Sequence, residues 1–187
     1  MLLLHPYHPQ TPQQERTFRL ILDTQQWLQS HALFSCQVLH APCWGEGDYE
    51  KIVREVWGQP RTLMIWEHDL EAPVHPVARF LGCPEDCCAV DYPIAPGVSV
   101  HRHADHRPIA PGDTRATYVG WGLTKFSPRI QALVDWREVA EGTWQNLDSR
   151  VGRVLRRRWG VEKMHIHTLG DVRHRKWGEA IPRVEGG

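Results

Sequence analysis

The sequence predicts a three-layer α/β/α sandwich on a mixed, mainly parallel sheet, and three observations carry that expectation. Short apolar runs alternate with amphipathic segments at helical spacing, the order seen when crossover helices cover both faces of a sheet. A chain of 187 residues is long enough to bury such a core. One apolar run, "TLMIWEHD", ends in Glu67, His68 and Asp69, and ligands of open α/β sheets bind at the carboxyl ends of strands.

The elements follow in order. "MLLLH" is a short apolar run stopped by "PYHPQTP". Behind the Thr11-Pro12 start signal, "TPQQERTFRLILDTQQWLQSH" repeats Phe18, Ile21, Leu22 and Leu28 at helical spacing. "LFSCQVLHA" reads as a second strand, "GDYEKIVREVWG" as a helix opened by Asp48 and closed by Gly58, and "TLMIWEHD" as a third strand. "HPVARFLGCPED" gives a helix and "CCAVDYPI" a fourth strand. Residues 95 to 117, "APGVSVHRHADHRPIAPGDTRAT", are rich in His, Pro and Gly without a sustained period and read as a loop or irregular hairpin. "YVGWGLTKFSP" is a Gly-interrupted strand and "PRIQALVDW" a helix. The next helix puts Leu147, Val151, Val154 and Leu155 on one stripe, with Arg150, Arg153, Arg157 and Arg158 largely off it. "GVEKMHIHTLGDVRHRKWG" supplies a last short strand and leads into a polar tail over 175–187. There is no internal repeat, and one domain is expected over 1–187.

Charge and cysteine content exclude several classes. Lys plus Arg (22) balance Asp plus Glu (22), so no global field draws nucleic acid or an anionic membrane. Any anionic ligand must be held locally. The opening "MLLLH" has three leucines before His5 and Pro6, short of the roughly 7 to 15 apolar residues of a signal-peptide core. No membrane span and a cytoplasmic location are expected. Five cysteines, an odd number, argue against a disulfide framework. Cys83, Cys87 and Cys88 lack the paired C-x2-C spacing of structural zinc and read as small buried residues or one reactive thiol.

The chemistry centres on residues 67 to 69. Side chains two apart on a strand share a face, so Glu67 and Asp69 present two carboxylates to one cation while His68 turns away. Carboxylate oxygens suit Mg²⁺ or Mn²⁺, which commonly bridge to substrate phosphates. Two acids at a strand end are, taken alone, as readily a solvated pair.

Later features decide between these readings. In "WQNLDSRVGRVLRRRWGVEKMHIHTLGDVRH", Asp148 leads a helix, Arg150 and Leu155 follow, Gly160 breaks it, and His174 lies beyond the next strand. With "IWEHDLEAP", this order resembles the GT-A-fold nucleotide-sugar glycosyltransferases of family 2, small bacterial and phage members above all, whose D-x-D element ends a central strand and holds a divalent metal against the donor diphosphate. "HPVARFLGCPEDCCAVDYPI" and "GLTKFS" resemble the family's following helix, strand and acceptor-side stretch. The resemblance implies a metal-dependent, inverting transfer from a nucleoside-diphosphate sugar to an acceptor it does not identify. It implies Glu67, Asp69 and His174 as ligands of Mn²⁺ or Mg²⁺ and Asp148 as the base. Where the family carries an Asn or Asp for the nucleotide, Tyr7 is left to stack on the base and Asp48 to contact the ribose.

Three further expectations complete the site. Lys125 in "LTKFS" adds positive charge near the diphosphate, and Trp121, between Gly120 and Gly122, covers a sugar face, as Trp144 also can. The first turn of a helix is expected to hold the Asp148 pKa low. The histidines of "HIH" (165–167) with His174, or of "HRHADH" (His101, His103, His106), support the alternative of a His-rich metal-dependent hydrolase or nuclease. A non-catalytic interaction protein that keeps the sheet is the third class.

Overall fold

A computed structural model describes residues 1–10, 14–31, 35–140, 146–169 and 172–175. The Thr11-Pro12 start signal, Trp144 and the tail beyond residue 175 lie outside the described residues. In chain order the elements are β1 (Leu2–Tyr7), α1 (Gln14–Ser30), β2 (Gln37–Pro42), α2 (Glu46–Val56), β3 (Leu63–Trp66), β4 (Leu70–Glu71), α3 (Val74–Leu81) and β5 (Cys87–Val90). Then come β6 (Pro93–Ala95), β7 (Val98–Ser99), β8 (Arg115–Ala116), β9 (Leu123–Phe126), α4 (Pro128–Gln131), α5 (Trp136–Ala140), α6 (Leu147–Arg158), β10 (Met164–His167) and β11 (Arg173–His174).

Seven strands form the main sheet in the order β2-β1-β3-β9-β5-β10-β8. β1 is parallel to β2 and β3, and β10 is parallel to β5. β9 runs antiparallel between β3 and β5, and β8 antiparallel to β10. The sheet is thus mixed, with β1, β2, β3, β5 and β10 pointing one way, as the sequence predicts. The "LMIW" of β3 and "CCAV" of β5 are buried along their whole length, the signature of strands covered on both faces.

Alternation divides the core in two. Leu2, Leu4, Leu63 and Ile65 pack with Val53 and Val56 of α2 and with Leu147, Val151, Val154 and Leu155 of α6. Leu3, Met64 and Trp66 point to the other face, against Ile21 and Leu28 of α1 and Val77, Phe80 and Leu81 of α3. These two helical layers complete the sandwich. The region from 95 to 117 contains the end of a β6–β7 hairpin, bridges from Arg102 to Pro108 and Tyr118, and the edge strand β8. β11 pairs antiparallel with β4 as a separate two-stranded sheet, placing His174 opposite Leu70 and Arg173 opposite Glu71. Among the described residues no helix is long and apolar enough to cross a membrane.

Candidate active site at the carboxyl edge of the sheet

β3 stops at Trp66, three residues short of the Asp69 that the alternation argument for Glu67 and Asp69 needs the strand to reach. Residues 67 to 70 instead form a turn in which Leu70 N–H donates to the Glu67 carbonyl at 3.2 Å. A turn does not keep the two-residue period of a strand, and His68 lines the same cavity as Glu67 and Asp69 rather than facing away. The turn is pinned from three sides. Trp66 Nε1 donates to the Leu70 carbonyl at 2.7 Å, Thr17 Oγ1 to the His68 carbonyl at 2.7 Å, and Glu67 N–H to the Gly122 carbonyl at 2.8 Å.

The cavity beside this turn has a volume of about 290 Å³ and opens at the carboxyl ends of β1, β2 and β3. Tyr7, Tyr49, Glu46 and Glu67 are among its lining residues. Tyr49 donates from its hydroxyl to Glu67 Oε1 at 2.8 Å. Burial, and then the neighbouring charge of Asp69, push the Glu67 carboxyl up to about 8, against the opposing pull of the Tyr49 hydrogen bond. Two acids in a desolvated site resist ionising together, and this is relieved when a cation enters.

Asp69 meets His174 across this edge. His174 Nε2 lies 3.2 Å from Asp69 Oδ2, although 105 residues separate them. The backbone supports the pair, with Arg175 N–H donating to the Asp69 carbonyl at 2.7 Å. Asp69 Oδ1 is buried without a hydrogen-bond partner. The Tyr92 ring stands 5.1 Å from that of His174, and its hydroxyl accepts from Gly122 N–H at 3.2 Å. A Cβ at position 122 would sit 2.7 Å from the Tyr92 ring, so the glycine is what lets Tyr92 come this close.

Asp148 lies in the first turn of α6, whose N-cap is Asn146. Its Oδ1 accepts from Ser149 N–H at 2.5 Å. Burial raises its pKa against the lowering hydrogen bonds from Ser149, and the charge of Glu46 adds to the rise, so the expectation of a low pKa is corrected. Asp148 lines a second cleft of about 560 Å³, together with Ser149 and the guanidinium-bearing Arg102, Arg153 and Arg156. The charge of Asp148 is nevertheless felt at Glu67 and Tyr49, so the two depressions are close. Glu46 joins them by accepting Leu147 N–H at 3.0 Å, tying the start of α2 to the start of α6.

Three expected donor-site residues stand elsewhere in their contacts. Asp48 Oδ2 accepts from Trp44 N–H at 3.0 Å and serves the loop before α2; Glu46, not Asp48, lines the cavity. Lys125 is buried, and its Nζ donates to the carbonyls of Leu81 and Cys83, the position of a cation that satisfies the orphan carbonyls after α3. Trp121 is 2% exposed and stacks on Trp57 at 6.0 Å, with Tyr49 edge-on at 6.3 Å. It is core that supports Tyr49, not a platform for a sugar. Tyr7 does line the cavity, with its ring stacked 5.8 Å from His5.

The histidine clusters of the hydrolase alternative do not assemble. His174 is engaged with Asp69, while His165 and His167 gather with Cys83 and Cys88. His101 Nε2 is 2.9 Å from the Val90 carbonyl, His103 lies between Glu162 and Asp113, and His106 stacks on Tyr118. Sequence reading missed Tyr49, Tyr92 and Glu46. The one available signal was the placement of Glu46 and Tyr49 at the head of a helix that follows a strand.

No family model matches the chain, and no curated protein matches it in sequence. Solved structures do share its architecture. The protein A197 from STIV has a TM-score of 0.57 at 9% identity, over 99% of this chain and 98% of that one. The 4-diphosphocytidyl-2C-methyl-D-erythritol synthase of Anaerococcus prevotii has a TM-score of 0.51 at 7% identity, over 90% and 87% of the two chains. A glycosyltransferase involved in glycosylation of the major capsid of PBCV-1 has a TM-score of 0.48 at 12% identity, over 89% and 81%. At such identities the likeness establishes the fold alone, a GT-A-like α/β fold on a mixed, mostly parallel sheet.

Proposed function

We propose that the protein is a metal-dependent glycosyltransferase that moves a sugar from a nucleoside-diphosphate sugar to an acceptor, with inversion at the anomeric carbon. The observation that carries this reading is the contact of His174 with Asp69 at the carboxyl edge of the parallel strands, beside the cavity that Tyr7, Tyr49 and Glu67 line. The residues fit a hard divalent cation. Asp69 Oδ1 is a buried acceptor without a donor, and carboxylate and imidazole together suit Mn²⁺ or Mg²⁺. His174 already meets Asp69, whereas the ligand atoms of Glu67, Asp69 and His174 do not all lie within 4.8 Å of one another, so Glu67 would move in when a cation enters. Asp69, Glu67 and His174 would hold the cation, which when bound neutralises charge building on a leaving diphosphate.

The chain's own groups supply the rest. Tyr49 keeps one Glu67 oxygen hydrogen-bonded, and Tyr7 offers an aromatic face to the nucleotide base at the end of β1. In the adjoining cleft, the raised pKa of Asp148 makes it a better proton acceptor than an exposed aspartate. The acceptor hydroxyl oxygen forms a bond to the anomeric carbon as the bond to the diphosphate oxygen breaks, and the hydroxyl proton passes to the Asp148 carboxylate. One base in a cleft distinct from the donor cavity suits a single, inverting displacement. Arg102, Arg153 and Arg156 suit an acceptor that carries negative charge.

The test is donor turnover. UDP, GDP, CDP and dTDP sugars are incubated with the protein and Mn²⁺, and products are separated by ion-exchange chromatography. Release of one nucleoside diphosphate, abolished by chelation and by Asp69→Ala, is expected. Release of pyrophosphate from a nucleoside triphosphate and a sugar phosphate, with no diphosphate release from any sugar donor, would make the protein a nucleotidyltransferase instead.

A further inference from the structure

At the opposite edge of the sheet, β10 alternates. Met164 and Ile166 are buried in one core layer, and His165 and His167 project to the other face with ring centroids 4.3 Å apart. The parallel register with β5 sets Cys88 beside His165. Just past α3, Cys83 turns back so that its Sγ lies 3.1 Å from Cys88 Sγ and 3.3 Å from His165 Nδ1. One ligand atom from each of these four side chains lies within 4.8 Å of every other, and this is the sole such group of three or more among the described residues.

We propose that Cys83, Cys88, His165 and His167 bind one Zn²⁺ as a closed Cys2His2 site that fastens the α3–β5 turn to β10, separate from the Asp69 site. Tetrahedral zinc has Zn–S near 2.3 Å and Zn–N near 2.0 to 2.1 Å, which puts ligand atoms about 3.3 to 3.8 Å from one another. The 3.3 Å sulfur–nitrogen contact reaches its tetrahedral value of about 3.6 Å by parting a few tenths of an ångström, and the 3.1 Å sulfur–sulfur contact reaches about 3.8 Å by opening about 0.7 Å. A second observation points the same way. His167 Nε2 is buried with no hydrogen-bond partner, a deficit that native interiors rarely tolerate. Its ring is held edge-on at 5.3 Å by Phe80.

The surroundings also suit a structural metal. Lys125 Nζ donates to the Cys83 carbonyl, fixing the backbone that presents this ligand. Cys88 sits within β5 and both histidines within β10, so three of the four ligands stand on strands whose spacing the ladder already sets. Binding replaces the two thiol protons, giving two Zn–S bonds and releasing two H⁺. Four protein ligands leave no open position for a substrate, so the site holds structure rather than hydrolysing anything. Two sulfurs this close can otherwise join as a disulfide, whose S–S bond is about 2.05 Å, but a disulfide leaves His167 Nε2 without a partner.

The test uses the full chain purified without chelator and with a reductant. Mass spectrometric metal analysis should find one equivalent of zinc in the wild type and in Cys36→Ser and Asp69→Ala. It should be lost in Cys88→Ser and His167→Ala. Because those variants can unfold, apo wild type is also titrated with Co²⁺. An intense tetrahedral d–d spectrum with sulfur-to-metal charge transfer is expected, together with a rise in Tm. Wild type that is folded by circular dichroism yet takes up no zinc, a weak octahedral Co²⁺ spectrum, or zinc lost in Asp69→Ala and kept in Cys88→Ser would each overturn the proposal. So would a Cys83–Cys88 disulfide in protein prepared without reductant that reduction and added zinc fail to convert to a metal site.

Discussion

Replacing Tyr49 by Phe removes one hydroxyl and leaves the ring, including its edge contact with Trp121 at 6.3 Å. The lost group is the 2.8 Å donor to Glu67 Oε1. That bond favours the ionised carboxylate, the form a cation needs, against burial and the charge of Asp69. Hydrogen bonds to charged groups contribute about 1.5 to 3 kcal/mol. At about 1.4 kcal/mol per tenfold, Tyr49→Phe should weaken metal-dependent nucleotide binding roughly ten- to 150-fold at pH 7. The assay is isothermal titration of Mn²⁺ with nucleoside diphosphate, repeated at rising pH. Affinity should recover at higher pH in both proteins, and later in the variant, because the proton held by Glu67 must leave before a cation is accepted. Equal affinities at pH 7 with superimposable pH profiles would refute the role given to Glu67.

The pH dependence of stability in the metal-free protein has two limbs. Burial lowers His5 and His101 from 6.5 to about 4. In that window the unfolded chain takes up protons that the folded chain refuses, so stability falls as pH drops from about 6.5 toward 4. Glu67 is raised from 4.5 to about 8. Between these values the folded chain keeps a proton the unfolded chain has released, so stability falls as pH rises. From pH 4.5 to 6.5 the two histidines outweigh the one carboxyl, so stability peaks near pH 6.5, the unshifted value of the histidines, and in urea titrations Glu67→Gln should flatten the limb above that pH and steepen the one below it. Asp148→Asn should retain donor binding and Tm while turnover falls roughly 10²- to 10⁴-fold. Wild-type turnover would leave Asp148 as a first-turn residue only. Lys125→Met should lower Tm, since two carbonyls lose their donor, and should leave donor affinity unchanged. A selective loss of diphosphate binding would return Lys125 to the donor site.

The layers were legible because they rest on local periods. The stripe of Leu147, Val151, Val154 and Leu155 is buried as read, and the uninterrupted apolar runs are the strands covered on both faces. At the site, Glu67 and Asp69 share a cavity as expected, but through a turn, because Trp66 ends its strand by bonding forward to Leu70. His174 reaches Asp69 because β11 pairs with β4. Lys125, Trp121 and Asp48 failed for one physical reason. Spacing along the chain states neither which carbonyls a lysine will satisfy nor which ring will stack on a tryptophan. The same limit hid the Cys83–His165 contact, whose partners are 82 residues apart. Spacing among the cysteines alone pointed away from a metal, since the ligands pair Cys83 with Cys88 and pass over Cys87.

Under the proposed function, a cation bound at Asp69 and His174 meets a nucleotide at the carboxyl edge of β3. Crystals grown with a nucleoside diphosphate and Mn²⁺ test it most directly, through anomalous scattering recorded at the manganese edge. A peak is expected within about 2 to 2.5 Å of an Asp69 carboxylate oxygen and of the diphosphate, with His174 alongside. A manganese peak only among Cys83, Cys88, His165 and His167, or a nucleotide bound away from Glu67 and Asp69, would contradict it.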